Sequence, residues 1–188
     1  GGGARTQALT LPGYAHDVCS AIHPMGVVSP FFRSLGLEAW GVEWIYPDLS
    51  LAHPFDDGTA AVLQRDLAAT AHALGPEGPA YDRLMRPLVD DADRLFRALL
   101  GPIRIPRHPF RMARFGLTAL RSCEGLVRGR FETEAARALF AGCAAHAVVP
   151  LDRPGTAAFG LMLMLAAHAA GWPVARGGSA RIVDALAR

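Results

Sequence analysis

Apolar residues recur at every third or fourth position between Ala80 and Leu100, at Tyr81, Leu84, Met85, Leu88, Ala92, Leu95, Phe96 and Leu99. That spacing places them on one face of a helix, with Asp82, Arg86, Asp90, Asp93 and Arg97 largely elsewhere. It predicts one continuous helix over 80–100, stopped by Gly101-Pro102. Further helices are predicted over 65–74, 109–120, 133–147 with Thr133 as N-cap, 156–170 and 180–187. The stretch TAAFGLMLMLAAHAA, from Thr156 to Ala170, is apolar nearly all round and so is expected to run through the centre of a helical layer.

Short extended runs dominate the first third. VEWIYP, LSLAHPF and TAAVLQ, from Val42 onward, read as three strands joined by turns at Pro47-Asp48 and Asp56-Asp57-Gly58, the second a hairpin signal. They predict a small antiparallel sheet over about 42–63. Residues 7–18, QALTLPGYAHDV, read as a hairpin-like pair around a Pro-Gly turn, and CSAIHPMGVVSPFF as a turn-rich, apolar loop lining a pocket. The fold class expected is α+β, a small antiparallel sheet with a mainly helical layer.

Composition adds limits. With 51% of 188 residues apolar and 19% charged, the chain can bury the core of one domain or parts of two. A net charge of +2 is too small to point to nucleic acid. The basic side chains are all arginine, and from Arg104 to Arg130 seven arginines face a single acid, Glu124. Three scattered cysteines, Cys19, Cys123 and Cys143, do not make a disulfide framework and suit a reducing, cytoplasmic compartment. No segment resembles a signal peptide, and 156–170 falls short of the roughly 20 residues that span a bilayer.

Few side chains suggest acid–base or metal chemistry. His16, Cys19 and His23, or Cys143 with His146, lack a second pair at structural zinc spacing, so no metal site is expected. There is no G-x-S-x-G elbow, and neither Ser20 nor Ser179 has an adjacent base. Asp17, beside His16, is a candidate general base or, in the commoner use of such a residue, a local backbone acceptor.

The glycines are more informative. GGGART opens the chain, and GWPVARGGSARIVDALAR, with Gly177-Gly178 ahead of a short amphipathic helix, closes it. Paired glycines before a helix let a ligand approach free N–H groups, and equally suit a tight turn. Together with LTLPGYAHD and DRPGTAAFGLML, these segments resemble the phytoene desaturase-like flavin oxidoreductases, relatives of the amine oxidases. In that family a Rossmann-type unit with G-x-G-x-x-G is followed, past an acidic residue that binds ribose, by Gly-Gly. The resemblance implies that Gly1, Gly2, Gly3, Arg5, Thr6, Gly177 and Gly178 contact FAD, and that the 188 residues are an internal segment between the nucleotide-binding unit and a last flavin-contacting segment. Two departures stand out. Many members have Arg directly after Gly-Gly, where this chain has Gly3 and then Arg5, and commonly Phe-Asp-x-Gly where it has His16-Asp17-Val18-Cys19.

By the same resemblance, 1–39 and 173–188 are remnants of an FAD-binding α/β domain, and 40–172 is a substrate-binding domain with its sheet at about 42–63 and helices at about 65–170. The implied activity is hydride transfer from an apolar, isoprenoid-like substrate to FAD, by a dehydrogenase, desaturase or isomerase, with little activity in these 188 residues alone. No catalytic dyad stands out. The basic run RIPRHPFRMARFGLTALR adds an expected peripheral membrane contact through Arg104, Arg107, Arg111 and Arg114. The alternative is a non-enzymatic helical module that holds a hydrophobic ligand or a partner protein.

Overall fold

The computed structural model describes residues 3–102, 105 and 109–188. In chain order they form β1 (Thr6–Gln7), β2 (His16–Asp17), α1 (Pro24–Val28), α2 (Pro30–Leu35), β3 (Trp44–Ile45), β4 (Leu49–Pro54), β5 (Ala60–Gln64), α3 (Leu67–Ala73), α4 (Gly78–Val89), α5 (Ala92–Leu99), α6 (Pro109–Ala119), α7 (Cys123–Arg130), α8 (Glu134–Ala144), α9 (Thr156–Ala170), β6 (Val174–Ala175) and α10 (Ala180–Leu186). Helix accounts for 55% and strand for 10%, all of it in antiparallel pairs, so the fold is α+β. No helix among the described residues is long and apolar enough to cross a membrane.

A helix without a polar face has to be enclosed, and α9 is. Helices α1, α4, α5, α6, α7 and α8 and strand β5 all pack on it, and Leu161, Met164, Leu165, Ala166 and Ala167 are fully buried. At its start Thr156 Oγ donates towards the carbonyls of Leu151 and Arg153 and accepts from the N–H of Cys123 at 2.8 Å, which ties α9 to α7. Near its end the buried His168 takes a hydrogen bond from the Tyr81 hydroxyl at Nε2 (2.6 Å) and donates from Nδ1 to the Arg65 carbonyl (3.1 Å). The carbonyl can only accept, so the ring is the neutral Nδ1–H tautomer.

Side-chain caps set the helix starts. Asp66 accepts from Ala69 N at 2.7 Å, Ser122 from Gly125 N at 3.1 Å and Thr133, as expected, from Ala136 N at 3.5 Å. The buried Glu77 carboxylate receives the N–H groups of Glu132 and Thr133, fixing the chain as it enters α8. The thiols of Cys123 and Cys143 are buried, and burial pushes them up to about 11 and about 12, so both stay protonated.

Three expectations change, and one helix was not expected. The helix over 80–100 is two helices, α4 and α5, broken at Asp90-Asp91, where Asp91 leaves helical geometry and receives Arg94 and Arg111; α4 itself continues past Pro87 to Val89. The apolar stripe runs on across the break since both halves face one core. Of the three expected strands, β4 and β5 form the hairpin through Asp56–Gly58, whereas β3 pairs with β6, 130 residues away in sequence. The apolar segment after Cys19 is not a loop but α1 and α2, each opened by a proline at its first turn. Helix α7, with Gly125 and Gly129, shows too weak a pattern to be predicted.

Two apolar clusters result. The larger runs from Val28 to Trp172 around α9. The smaller unites Leu37 and Val42 with Ala175, Ile182 and Ala185, and Phe32, Leu35 and Trp44 pack against it. The two terminal stretches therefore share a core, which extends past residue 40 to Trp44 through the β3–β6 pairing, while α1 packs on α9.

Helices α8 and α9 approach closely where Gly160 faces Phe140. A Cβ on Gly160 would lie 2.6 Å from Cε1 of that ring, which is itself fully buried. In an open helix Gly→Ala stabilises by about 0.5–1 kcal/mol. Here Gly160→Ala is expected to lower stability by about 1–3 kcal/mol through overpacking, read from the urea midpoint; an unchanged or higher midpoint would refute the close approach.

The Tyr81–His168 pair predicts a pH dependence. Burial holds His168 below its ordinary 6.5, against the opposing pull of the Arg65 carbonyl. The folded state thus binds fewer protons than the unfolded chain, so the stability the pair contributes is complete above pH 6.5 and is lost as pH falls through the lower folded value. Urea unfolding between pH 7.5 and 5 should show declining stability with a shallower decline in His168→Gln. Identical slopes would remove His168 from the account.

Candidate functional site

The closing glycines and the opening strand meet. Gly178 has φ +96°, a conformation open to glycine, and a Cβ there would run into the Thr6 side chain, 172 residues earlier. Thr6 Oγ donates to Asp17 Oδ1 at 2.6 Å and accepts from Ala180 N at 3.0 Å. Asp17 Oδ1 also receives Ser179 N at 2.8 Å. Strand pairing puts Thr6 opposite Asp17, so one hairpin delivers both groups to the start of α10.

These bonds settle the donors at that helix end. Backbone N–H groups at a helix start attract an anion; here the N–H of Ser179 goes to a carboxylate and that of Ala180 to a hydroxyl of the same chain. The N–H groups of Ser179 and Ala180 are therefore not free for a ligand, because Asp17 is the anion. Burial raises the Asp17 carboxyl, but hydrogen bonds from Thr6 and Ser179 and the charge of His23 outweigh it and hold the group below its ordinary 3.8. Asp17 is a backbone acceptor, although not a local one.

A Ser–His contact lies beside it. His23 Nε2 is 2.8 Å from Ser179 Oγ, and Ser179 Oγ donates its single proton to the Ser20 carbonyl at 2.5 Å. His23 must then be the donor to Ser179, so its Nε2 carries a proton and does not act as a base on that hydroxyl. Burial lowers His23 despite the Asp17 charge. With Ser179 fully buried, the Asp17–His23–Ser179 group serves as a clamp rather than a nucleophile. His23 N also reaches the Pro173 carbonyl at 2.9 Å, a further link between the two terminal stretches. Sequence reasoning missed His23 and Ser179 as partners since 156 residues separate them. The other histidines considered find local partners: His16 Nε2 meets Thr10 Oγ at 2.7 Å, and His146 Nδ1 donates to the Cys143 carbonyl.

For the residues assigned to FAD, position separates two groups. Gly1 and Gly2 lie outside the described residues. Thr6 and Gly178 interlock with each other. Gly3, Arg5 and Gly177 are exposed; nothing lies within 4 Å of a Cβ on Gly3, and one on Gly177 would meet only the flexible Arg181 side chain. Those three leave backbone open to an approaching group, whereas the Thr6–Gly178 contact leaves none.

Removing the carboxylate should loosen the junction. Asp17→Ala is expected to speed hydrogen exchange of the Ser179 amide roughly ten-fold or more, with Asp17→Asn in between. Unchanged exchange in Asp17→Ala would mean that other contacts hold the two ends together.

A scan against models of known protein families and a search of curated proteins find no match to this chain.

Proposed function

We propose that this chain is part of an FAD-dependent oxidoreductase, similar to the phytoene desaturase-like enzymes, that dehydrogenates or isomerises an apolar, isoprenoid-like substrate. The observation that supports this reading is the joining of the two glycine-bearing ends, Gly178 against Thr6 with Asp17 bonded to both Thr6 and Ser179. An enzyme of this kind needs both segments beside one cofactor, and a chain that merely ended in two glycine turns would not need them to touch.

When bound, the flavin would supply the hydride acceptor. Gly3, Arg5 and Gly177, with Gly1 and Gly2, would hold it, the glycines by backbone approach and Arg5 by its charge toward phosphate. Asp17 and Thr6 would keep the Gly177-Gly178 turn in place, and the Asp17 charge is balanced by its own hydrogen bonds. His23, neutral and donating to Ser179, would exchange no proton with substrate. The dinucleotide-binding unit would come from outside these residues.

Two measurements test this. The gene upstream of Gly1 should encode, in frame, a strand, G-x-G-x-x-G, a helix and an acid-ended strand, and the longer protein should purify with stoichiometric flavin while residues 1–188 alone retain little. A start codon close to Gly1, or a longer protein that binds no flavin, would overturn the reading and favour a hydrophobic-ligand module.

A further inference from the structure

Between the α4–α5 break and α6 lies a cleft of about 540 Å³, within the size range of small-molecule sites. Its apolar wall is formed by Leu88, Leu95 and Phe115, and the last two are buried in the larger core, so that wall is fixed. The rest of its lining is charged. Asp90 and Asp91 come from the break itself, Arg94 from the first turn of α5, and Arg111 and Arg114 from α6. Of the four arginines expected to meet a membrane, then, Arg104 and Arg107 lie outside the described residues, and Arg111 and Arg114 line this cleft.

One carboxylate arranges two of the guanidiniums. Arg94 donates from Nη1 to Asp91 Oδ1 at 2.9 Å, Arg111 donates from its own Nη1 to the same oxygen, and the Asp91 side chain is only 18% exposed. A guanidinium carries five N–H groups in a planar fork. Among the described residues Nε and Nη2 of Arg94 and Arg111 therefore keep their donors, and Arg114 has no carboxylate partner. Three arginines and two aspartates line the cleft, an excess of one positive charge. Two cations brought to one carboxylate oxygen repel each other, and a second oxyanion beside them offsets that repulsion.

We propose that this cleft binds a small monocarboxylate with an apolar body, its head on Arg114 and the remaining donors of Arg94 and Arg111, its body against Leu88, Leu95 and Phe115. Arginine forks match the two oxygens of a carboxylate. A singly negative head cancels the excess charge of the lining. A phosphate monoester, at about −1.5 to −2 near neutral pH, would leave the cleft negative beside Asp90 and Asp91, and a bare inorganic anion would leave the apolar wall uncovered. The site does not rest on a bound flavin, since none of its lining residues belongs to the glycine-bearing terminal stretches.

Titration of the 188-residue chain with phenylacetate, followed through the backbone amide NMR signals of Leu95 and Phe115, tests the site. Saturable shifts are expected, with a Kd on the order of 1 mM for a ligand of about ten non-hydrogen atoms. Phenylacetamide, the same shape without the charge, and acetate, the head without the body, should each bind at least about ten-fold more weakly. Arg114→Gln should weaken phenylacetate binding about five-fold, with circular dichroism unchanged because that side chain is exposed. Arg97→Gln, which removes an exposed cation on α5 outside the cleft, should bind like the parent. Absence of saturable shifts, equal binding of phenylacetate and phenylacetamide, or equal losses in the Arg97 and Arg114 variants would overturn the proposal. Tighter binding of phenyl phosphate than of phenylacetate would overturn the assignment of a singly charged head.

Discussion

A fifteen-residue helix with no polar side has to be surrounded, and the architecture follows from surrounding α9. Its small residues decide how near each neighbour can come. Gly160 lets the Phe140 ring of α8 lie against its backbone, and the Ala166-Ala167 pair lets the chain turn back close by at Gly171, whose N–H bonds both of their carbonyls. The polar groups that enter this region are bonded there, Thr156 to the Cys123 N–H and two carbonyls and His168 through both ring nitrogens. A buried imidazole nitrogen left without a partner costs about 1–3 kcal/mol.

Enclosing α9 also dictates where the chain ends can go. Helix α1 packs on α9, and β6 begins four residues beyond α9's end, so the segments before α1 and after α9 emerge together. What remains is to join two polar strands and a short helix with little apolar surface between them. Asp17 does this electrostatically: a carboxylate placed where α10 presents its first N–H groups replaces water or a ligand as their partner. Locking the turn this way leaves Gly3, Arg5 and Gly177 outside the lock, where they can meet something else.

Legibility in the sequence tracks the range of the forces involved. Helices α3, α6, α8, α9 and α10 and the β4–β5 hairpin were readable because caps, apolar period and an Asp-Gly turn are local signals. The break at Asp90-Asp91 was not, since a stripe facing one core keeps its period across a kink, and what ends α4 there is Asp91 turning to meet Arg94 and Arg111. Strand β3 was recognisable as a strand, but its partner depends on where α9 deposits β6, information held over a hundred residues away. At the site, the nearness of Gly177-Gly178 to the opening segment was anticipated from the resemblance. The means was not: Asp17 looks like an ordinary turn acceptor, and only the folded chain shows that its donor is Ser179.

The same accounting isolates α6. An eleven-residue helix that folded solely to shield α9 would keep its large apolar side chains on the shielding side, as α4 does with Tyr81, Leu84 and Met85 buried and Asp82, Arg83 and Arg86 outside. Helix α6 buries Phe115 and Ala119 and turns Phe110 and Leu117 to solvent with Arg114 between them. Core packing gives no reason for a phenylalanine nearly fully exposed beside an arginine. Scattered exposed apolar residues are ordinary on any protein, but Phe110, Leu117 and Leu120 lie within three turns of one another on and just past one element.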